Sequence, residues 1–352
     1  MSTSAVGIGV VGCGVIGPAH LRQLVGYAPA RLRAVADLLD DRLAAAATAF
    51  APERTYRSGA ELIDDPEVDA VILALPAEPR YELALRALRA GKHLLLEKPV
   101  ARSVEEVDAY RALARPGQLV AAASSRFRFT RSYPALRRAL DAPGLRPIRQ
   151  IVHEGTRPSP ERPASPPPAW RLSNRQNGGG IMSNWGCYDL DYLLSLLEPG
   201  DAPVEVSAAW RGIPDAITRW VAEGSDAETL VTALIRFSSG VTVVLNRGEY
   251  LPTAAPRNAT TILGDAASVS CAISAGSEPF TVTRYDEAGV ATEPFWSEPD
   301  DFEVIHRGVT RDFVDAIVTG RDPATGLGRA RVVQLITDTI YRSARERRSV
   351  AL

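Results

Sequence analysis

A chain of 352 residues is too long for one ordinary hydrophobic core, so two domains are expected. Forty Lys and Arg against 42 Asp and Glu leave a net charge of −2, which excludes the basic footprint of a nucleic-acid binder. No stretch approaches the roughly 18 consecutive apolar residues of a membrane span, and the opening Met1-Ser-Thr-Ser lacks a signal-peptide pattern. Cys13, Cys187 and Cys271 are odd in number and far apart, so no disulfide framework is expected. These readings describe a soluble, cytoplasmic protein with no membrane partner.

Residues 5–11 read as a buried strand and 16–27 as a helix, followed by a strand at 31–36 and an alanine-rich helix at 41–50. Short strands at 70–75 and 93–96 flank a helix at 80–90, and a helix at 103–114 precedes a strand at 119–123. Alternation of this kind predicts an α/β fold whose first domain, residues 1–124, is a doubly wound parallel sheet with a ligand crevice at the carboxyl ends of its strands. The texture then changes. Residues 149–152 are strand-like, whereas six prolines in 156–176 exclude regular structure there. The triplet Gly178-Gly179-Gly180 opens a helix that runs to about residue 197. Strand patterns at 228–237 and 240–245 meet at Ser238-Ser239-Gly240, a hairpin signal, and helices at 301–319 and 330–345 close the chain. The second domain, residues 125–352, therefore reads as an α/β unit with an antiparallel or mixed sheet.

Gly12-x-Gly14-x-x-Gly17, directly after a strand and into a helix, has the spacing of a dinucleotide-binding turn; Gly12, Gly14, Val15, Ile16 and Gly17 would face a pyrophosphate. Asp37 closes the second strand 25 residues after Gly12, where a carboxylate accepts hydrogen bonds from the adenosine ribose and repels a 2′-phosphate. This favours NAD over NADP, with Arg42 the one nearby cation able to meet a phosphate. Of the 40 basic residues only Lys92 and Lys98 are lysine. A lysine kept against such a bias marks a place where arginine, which does not give up its proton, cannot serve. The four histidines, His20, His93, His153 and His306, have no cysteine or carboxylate at ligand spacing, so no metal is expected.

Asp69-Ala-Val-Ile-Leu-Ala-Leu75-Pro76 and Gly91-Lys-His-Leu-Leu-Leu-Glu97-Lys98-Pro99, with Trp170-Arg171, the glycine triplet and the tail Ile340-Tyr-Arg-Ser-Ala-Arg, resemble the Gfo/Idh/MocA oxidoreductases over essentially the whole chain. The resemblance implies a large open, mostly antiparallel sheet in the second domain that often builds dimers or tetramers, and a sugar or cyclitol substrate. It also implies a nicotinamide cofactor lined by Leu75, Pro76 and Glu97, a cis Lys98–Pro99 bond, and Lys98 at the reaction centre. Where the family usually has an Asp and a catalytic His, this chain has Asn184 and Tyr188; the last Asp of the pattern is kept as Asp191. Some relatives with Tyr there prefer NADP, which conflicts with Asp37.

Hydride transfer needs a group that takes the hydroxyl proton. A free tyrosine titrates near 10, and lowering it to about 8 takes roughly 3 kcal/mol, which a nearby ammonium can supply. Either Tyr188 is the base with Lys98 beside it, or Lys98 takes the proton while Tyr188 orients the hydroxyl. Arg126, Glu154, Trp170, Arg171, Asn184 and Asp191 are the further candidates for the substrate wall. The expected activity is NAD-dependent oxidation of a secondary hydroxyl of a sugar, cyclitol or glycoside, in a setting such as amino-sugar antibiotic assembly. The alternatives are a ketosugar reductase, with NADPH and a nucleotide-linked substrate, and a cofactor-binding sensor without catalysis.

Overall fold

The computed structural model describes residues 5–115, 118–159, 163–253, 255–287 and 289–352. The chain forms two units, Met1–Arg126 with Ile305–Gln334, and Phe127–Val304 with Leu335–Leu352. It passes between them at 126/127, 304/305 and 334/335, where the sequence pointed to one passage at 124/125.

In the first unit the chain runs β1 (Val6–Val11), α1 (Gly17–Leu24), β2 (Ala30–Ala36), α2 (Asp40–Phe50), β3 (Arg54–Tyr56), α3 (Gly59–Asp64), β4 (Ala70–Leu73), α4 (Ala77–Arg89), β5 (His93–Leu96), α5 (Val104–Ala114) and β6 (Ala121–Ala123). All six strands are parallel in the order β3-β2-β1-β4-β5-β6. Every residue of β1 and β4 is buried, as expected of strands covered on both faces, and their sequences are accordingly unbroken apolar runs. The strand order reverses between β1 and β4, so the loops leaving their carboxyl ends part there and open a crevice. Three segments border it: the glycine turn after β1, Ala74–Pro76 after β4 and Glu97–Pro99 after β5.

The second unit begins with α6 (Ser132–Ala139), β7 (Gln150–Pro158), α7 (Asn174–Asn177) and α8 (Cys187–Leu194). Strands β8 (Pro203–Arg211), β9 (Leu230–Phe237), β10 (Thr242–Leu251), β11 (Arg257–Leu263), β12 (Ala267–Cys271), β13 (Phe280–Asp286) and β14 (Gly289–Trp296) follow, then α9 (Phe302–Thr319), α10 (Leu327–Glu346) and β15 (Val350–Ala351). The nine-stranded sheet has the order β14-β13-β12-β11-β7-β10-β9-β8-β15, antiparallel at every pairing except β7 with β10. The expected hairpin joins β9 and β10, with Gly240 at φ 90° in its turn.

Two segments depart from the sequence expectation. Residues 156–176 are not irregular throughout: β7 extends to Pro158, Ala169–Leu172 form a 3-10 turn, and Ser173 caps the single turn of α7. The prolines from 163 to 168 exclude regular structure only where they cluster, and 160–162 lie outside the described residues. The helix after the glycine triplet opens as a π-helix, Met182–Gly186, before tightening into α8. Among the described residues no helix is long and apolar enough to cross a membrane, and no cluster of His, Cys, Asp and Glu is arranged to hold a metal ion.

Candidate active site

The three glycines of the first turn have different duties. Gly12 sits at φ 96°, and a Cβ there would meet the Ala74 carbonyl oxygen at 2.5 Å; one on Gly17 would lie 1.9 Å from the Gly12 carbonyl oxygen. Both must be glycine for β1, the loop after β4 and α1 to close together. A Cβ on Gly14 would meet only the Arg42 guanidinium, at 3.4 Å, so this stretch of backbone stays open to a pyrophosphate. No side chain caps the first turn of α1; Ala19 and His20 donate to the Ile16 carbonyl and Pro18 has no N–H, so the Gly17 N–H is the one this turn offers an anion. Val15, beside Gly14, is 98% exposed. At the end of β2 the Asp37 carboxylate accepts the Cys13 N–H at 2.7 Å and the Leu39 N–H at 2.9 Å. Each oxygen retains lone-pair capacity for a ribose hydroxyl. The donor set and the open glycine backbone fit a dinucleotide, and Arg42 reaches back over Gly14, beside the turn that would hold its phosphates.

Behind the crevice lies a buried polar cluster. Glu97 Oε1 accepts from Ser124 Oγ at 2.6 Å and lies 3.1 Å from His20 Nε2, while Oε2 accepts the Lys98 backbone N–H at 3.0 Å. His20 Nδ1 is 2.9 Å from Thr310 Oγ1, and that hydroxyl points to the His306 carbonyl at 3.4 Å. Both ring nitrogens of His20 are thus engaged, one by Glu97 and one by Thr310. Burial pushes the Glu97 carboxyl up, but the hydrogen bonds and charges of His20, then Ser124 and Lys98, outweigh it and hold it at about 2. Arg80, fully buried, donates to the carbonyls of Leu75 and Pro99 and so ties the loops after β4 and β5 together. The Lys98–Pro99 peptide is cis. Arg126 is buried and donates to His306 Nε2 at 3.0 Å; burial first, then the Arg126 charge, pushes the His306 imidazole down to about 4, so it accepts as a neutral ring. The other lysine, Lys92, donates to the Asp65 and Val68 carbonyls at 3.0 and 2.6 Å, a structural use.

In the second unit the glycine triplet is clamped by one carboxylate. Glu228 Oε2 accepts the Gly180 N–H at 2.8 Å, and Oε1 accepts the Met182 N–H at 3.0 Å and the Tyr341 hydroxyl at 2.8 Å. Burial pushes this carboxyl up. A Cβ on Gly179, at φ 148°, would lie 1.9 Å from the Tyr341 oxygen, and one on Gly180 would lie 2.0 Å from the Glu228 carbonyl oxygen. This clamp launches the π-helix. From it Asn184 donates to the carbonyls of Arg171 and Gly180 at 2.6 and 3.0 Å, leaving its own buried Oδ1 without a partner. Tyr188 is 2% exposed and sits edge-on to Phe127 at 5.3 Å and tilted to Trp185 at 6.1 Å. Asp191 is buried one turn further on. Arg171 donates to both oxygens of Glu249 at 2.8 Å, and Trp170 stands half-buried on the 3-10 turn.

The structure brings Tyr188, Asn184 and Arg171 to one side of the sheet and does not bring Glu154 there. His153 faces α8, with Nε2 3.7 Å from Asp189 Oδ2, so its neighbour Glu154 points to the opposite face and pairs with Arg257 at 3.4 Å. Sequence reasoning passed over the buried partners His20, Ser124, Thr310 and Glu228, and a cationic group on β7 and β10 formed by Arg157 and Arg247. His20 carried a weak signal, one turn into the helix that follows the glycine turn. The others carried none, because their partners lie far away along the chain.

Residues 6–123 match the oxidoreductase family model with an NAD-binding Rossmann fold, and residues 133–270 match the Gfo/Idh/MocA C-terminal domain. Myo-inositol 2-dehydrogenase of Thermotoga maritima is 28% identical over 248 residues, covering 69% of this chain and 68% of that protein. Inositol 2-dehydrogenase 2 of Saccharopolyspora erythraea is 35% identical over 192 residues, so the match spans about half of each chain, 54% of this one and 53% of that one. Among solved structures, levoglucosan dehydrogenase with NADH superposes at TM-score 0.84, with 22% identity and 99% of both chains covered. A protein of gentamicin A biosynthesis solved with NAD superposes at 0.81, with 22% identity, covering all of this chain and 97% of that one.

Proposed function

The chain belongs to the Gfo/Idh/MocA family of oxidoreductases, and from that premise we propose that it oxidises a secondary hydroxyl of a sugar, cyclitol or glycoside to the ketone. Gly12, Gly14, Val15, Ile16, Gly17 and Asp37 would hold NAD, with Leu75, Pro76 and Glu97 lining it, and NAD would supply the hydride acceptor. The observation that carries the reading is the fixing of Lys98: its backbone N–H is bonded to the buried Glu97 carboxylate at the edge of the switch crevice. A backbone fixed in this way sets the point from which the Lys98 side chain departs, and proton handling requires such positioning.

Tyr188 is the second unit's candidate for proton handling, in the position the family usually gives to histidine. Its ring is confined by Phe127 and Trp185, which fixes the direction in which its hydroxyl is presented. Asn184 Oδ1, buried with no partner, offers an acceptor to a substrate hydroxyl. Trp170, Arg171 and Asp191 are the second unit's further candidates for substrate contact, and Arg126 is the first unit's. The likeness to a gentamicin A biosynthesis protein and the near-absence of lysine both favour amino-sugar antibiotic assembly as the setting. The half-exposed Trp210, Tyr285 and Val290 on the second sheet favour a homodimer or homotetramer formed there.

The test is Lys98→Met, assayed with NAD and a panel of polyols headed by myo-inositol. Turnover should fall by at least 1000-fold, while NADH affinity, read by fluorescence titration, stays within a factor of about three. Retained turnover would remove Lys98 from the chemistry, and with it both versions of the proton transfer.

A further inference from the structure

We propose that Arg157 and Trp185 form an anion seat beside Tyr188, so that the sugar oxidised at this centre carries a carboxylate or a phosphate. The inference rests on the oxidoreductase reading above and names its substrate class. Arg157 lies on β7 in phase with His153 and Gly155, and therefore on the face of the sheet that carries α8. Its guanidinium carbon stands 4.0 Å from the centre of the Trp185 ring, and that of Arg247 stands 5.4 Å from the same ring. Two cations thus share one indole, with Arg171 as a third member of the group.

Their carboxylates do not balance them. Glu249 is taken by Arg171 at 2.8 Å, and Asp189 by Arg247 at 3.3 Å. Among the described residues Arg157 has no carboxylate within 4.0 Å. His153 adds no charge, because burial pushes its imidazole down. Three guanidinium groups against two carboxylates leave one positive charge in excess, and it resides on Arg157. Loss of solvent first, and then the Arg247 charge, disfavours the charged form of that guanidinium, and a bound anion would favour it. A guanidinium lying flat on an indole still presents its N–H edge, the fork that carboxylates and phosphates accept. Arg157 is exposed, and the indole gives it a platform within 4.0 Å. Trp185 precedes Tyr188 by three positions, and their rings are 6.1 Å apart. A single ring therefore separates the seat from the phenol, a span one sugar ring can bridge.

The test is calorimetric titration of the protein loaded with NADH, using D-glucose, D-glucuronate and D-glucose 6-phosphate, on wild type, Arg157→Gln and Arg157→Lys. At least one anion should bind ten or more times tighter than glucose to wild type. That ratio should collapse toward one in Arg157→Gln and be partly restored in Arg157→Lys, and 0.5 M salt should weaken the anion alone. Whichever anion gains more identifies the group. Equal or absent binding of all three ligands overturns the seat, as does a ratio unmoved by Arg157→Gln in a variant whose NADH affinity shows it folded. Absence of turnover with all three sugars and NAD would count against the oxidation reading, while the titration still decides the seat.

Discussion

Replacing Glu97 by glutamine should destabilise the protein by about 3 kcal/mol at neutral pH, and the loss should disappear in acid. The magnitude follows from the carboxyl itself. It is held at about 2 against an ordinary 4.5, and each pH unit is worth about 1.4 kcal/mol, so the native contacts favour the ionised form by about 3 kcal/mol. Glutamine has nearly the same shape but cannot satisfy the same neighbours. One carboxylate oxygen faces His20 and Ser124 and the other faces the Lys98 N–H; turned one way the amide NH2 meets the Lys98 N–H, and turned the other it forces Ser124 and His20 to become acceptors. Removing one partner of a buried pair costs about 3–5 kcal/mol, in agreement with the first figure.

The pH dependence separates this account from a mere packing defect. A carboxyl that binds its proton more weakly in the folded chain than in the unfolded one contributes stability in full above about 4.5, and that stability is lost as pH falls toward 2. Urea unfolding of wild type and Glu97→Gln, followed by far-UV circular dichroism from pH 7 to pH 2.5, should show two midpoints that converge below about pH 4 with unchanged slopes. A gap that stays constant with pH, or one below about 1 kcal/mol at pH 7, would refute the ion-pair assignment.

In the second unit, Gly179→Ala should cost about 3 kcal/mol or more, because its Cβ would drive the Tyr341 hydroxyl off Glu228 at a φ of 148°. Gly276→Ala, with open space around it, should stay within about 0.5 kcal/mol in the same unfolding assay. In fluorescence titration NADH should bind at least tenfold tighter than NADPH, a difference of about 1.4 kcal/mol, and Asp37→Ser should erase the preference. Tighter NADPH binding by wild type would mean that Arg42, which reaches over Gly14, governs the choice instead.

The parts of this molecule that were legible in the sequence are those whose physics is local. The Gly12–Gly17 turn was readable because backbone closure against Ala74 and Gly12 itself demands glycine at fixed spacing. The strands β1, β4 and β5 were readable because burial on both faces leaves unbroken apolar runs. Short elements such as β3 and α3, three and six residues long, carry too few residues for a period to show. Glu154 was misplaced because strand alternation only assigns a face once one member is anchored, and the anchor, His153 against Asp189, is a tertiary contact. The aromatic platform under Arg157 was hidden for the same reason: β7 and the π-helix are about one hairpin's length apart in sequence but meet only in the fold.

Two buried glutamates show how much that tertiary context decides. Glu97 and Glu228 both receive backbone N–H groups from the segment leading to a side chain proposed to react, Lys98 in one unit and Tyr188 in the other. Both are nearly sealed from solvent. Yet the first carboxyl is drawn down and the second is pushed up. Burial is common to both and raises each, so it cannot account for the difference. The partners do: Glu97 faces the His20 imidazole and the Lys98 charge, whereas the polar partners of Glu228 are backbone amides and the neutral Tyr341 hydroxyl. Glu97 therefore stabilises the fold most where it is ionised. Glu228 works the other way: its folded carboxyl binds a proton more tightly than an unfolded one, so its ionisation opposes folding as pH rises. The glycine triplet tolerates that cost because the same carboxylate satisfies the amides that a π-helix start leaves open, and the turn of backbone so fixed is the one that carries Asn184, Trp185 and Tyr188 into place.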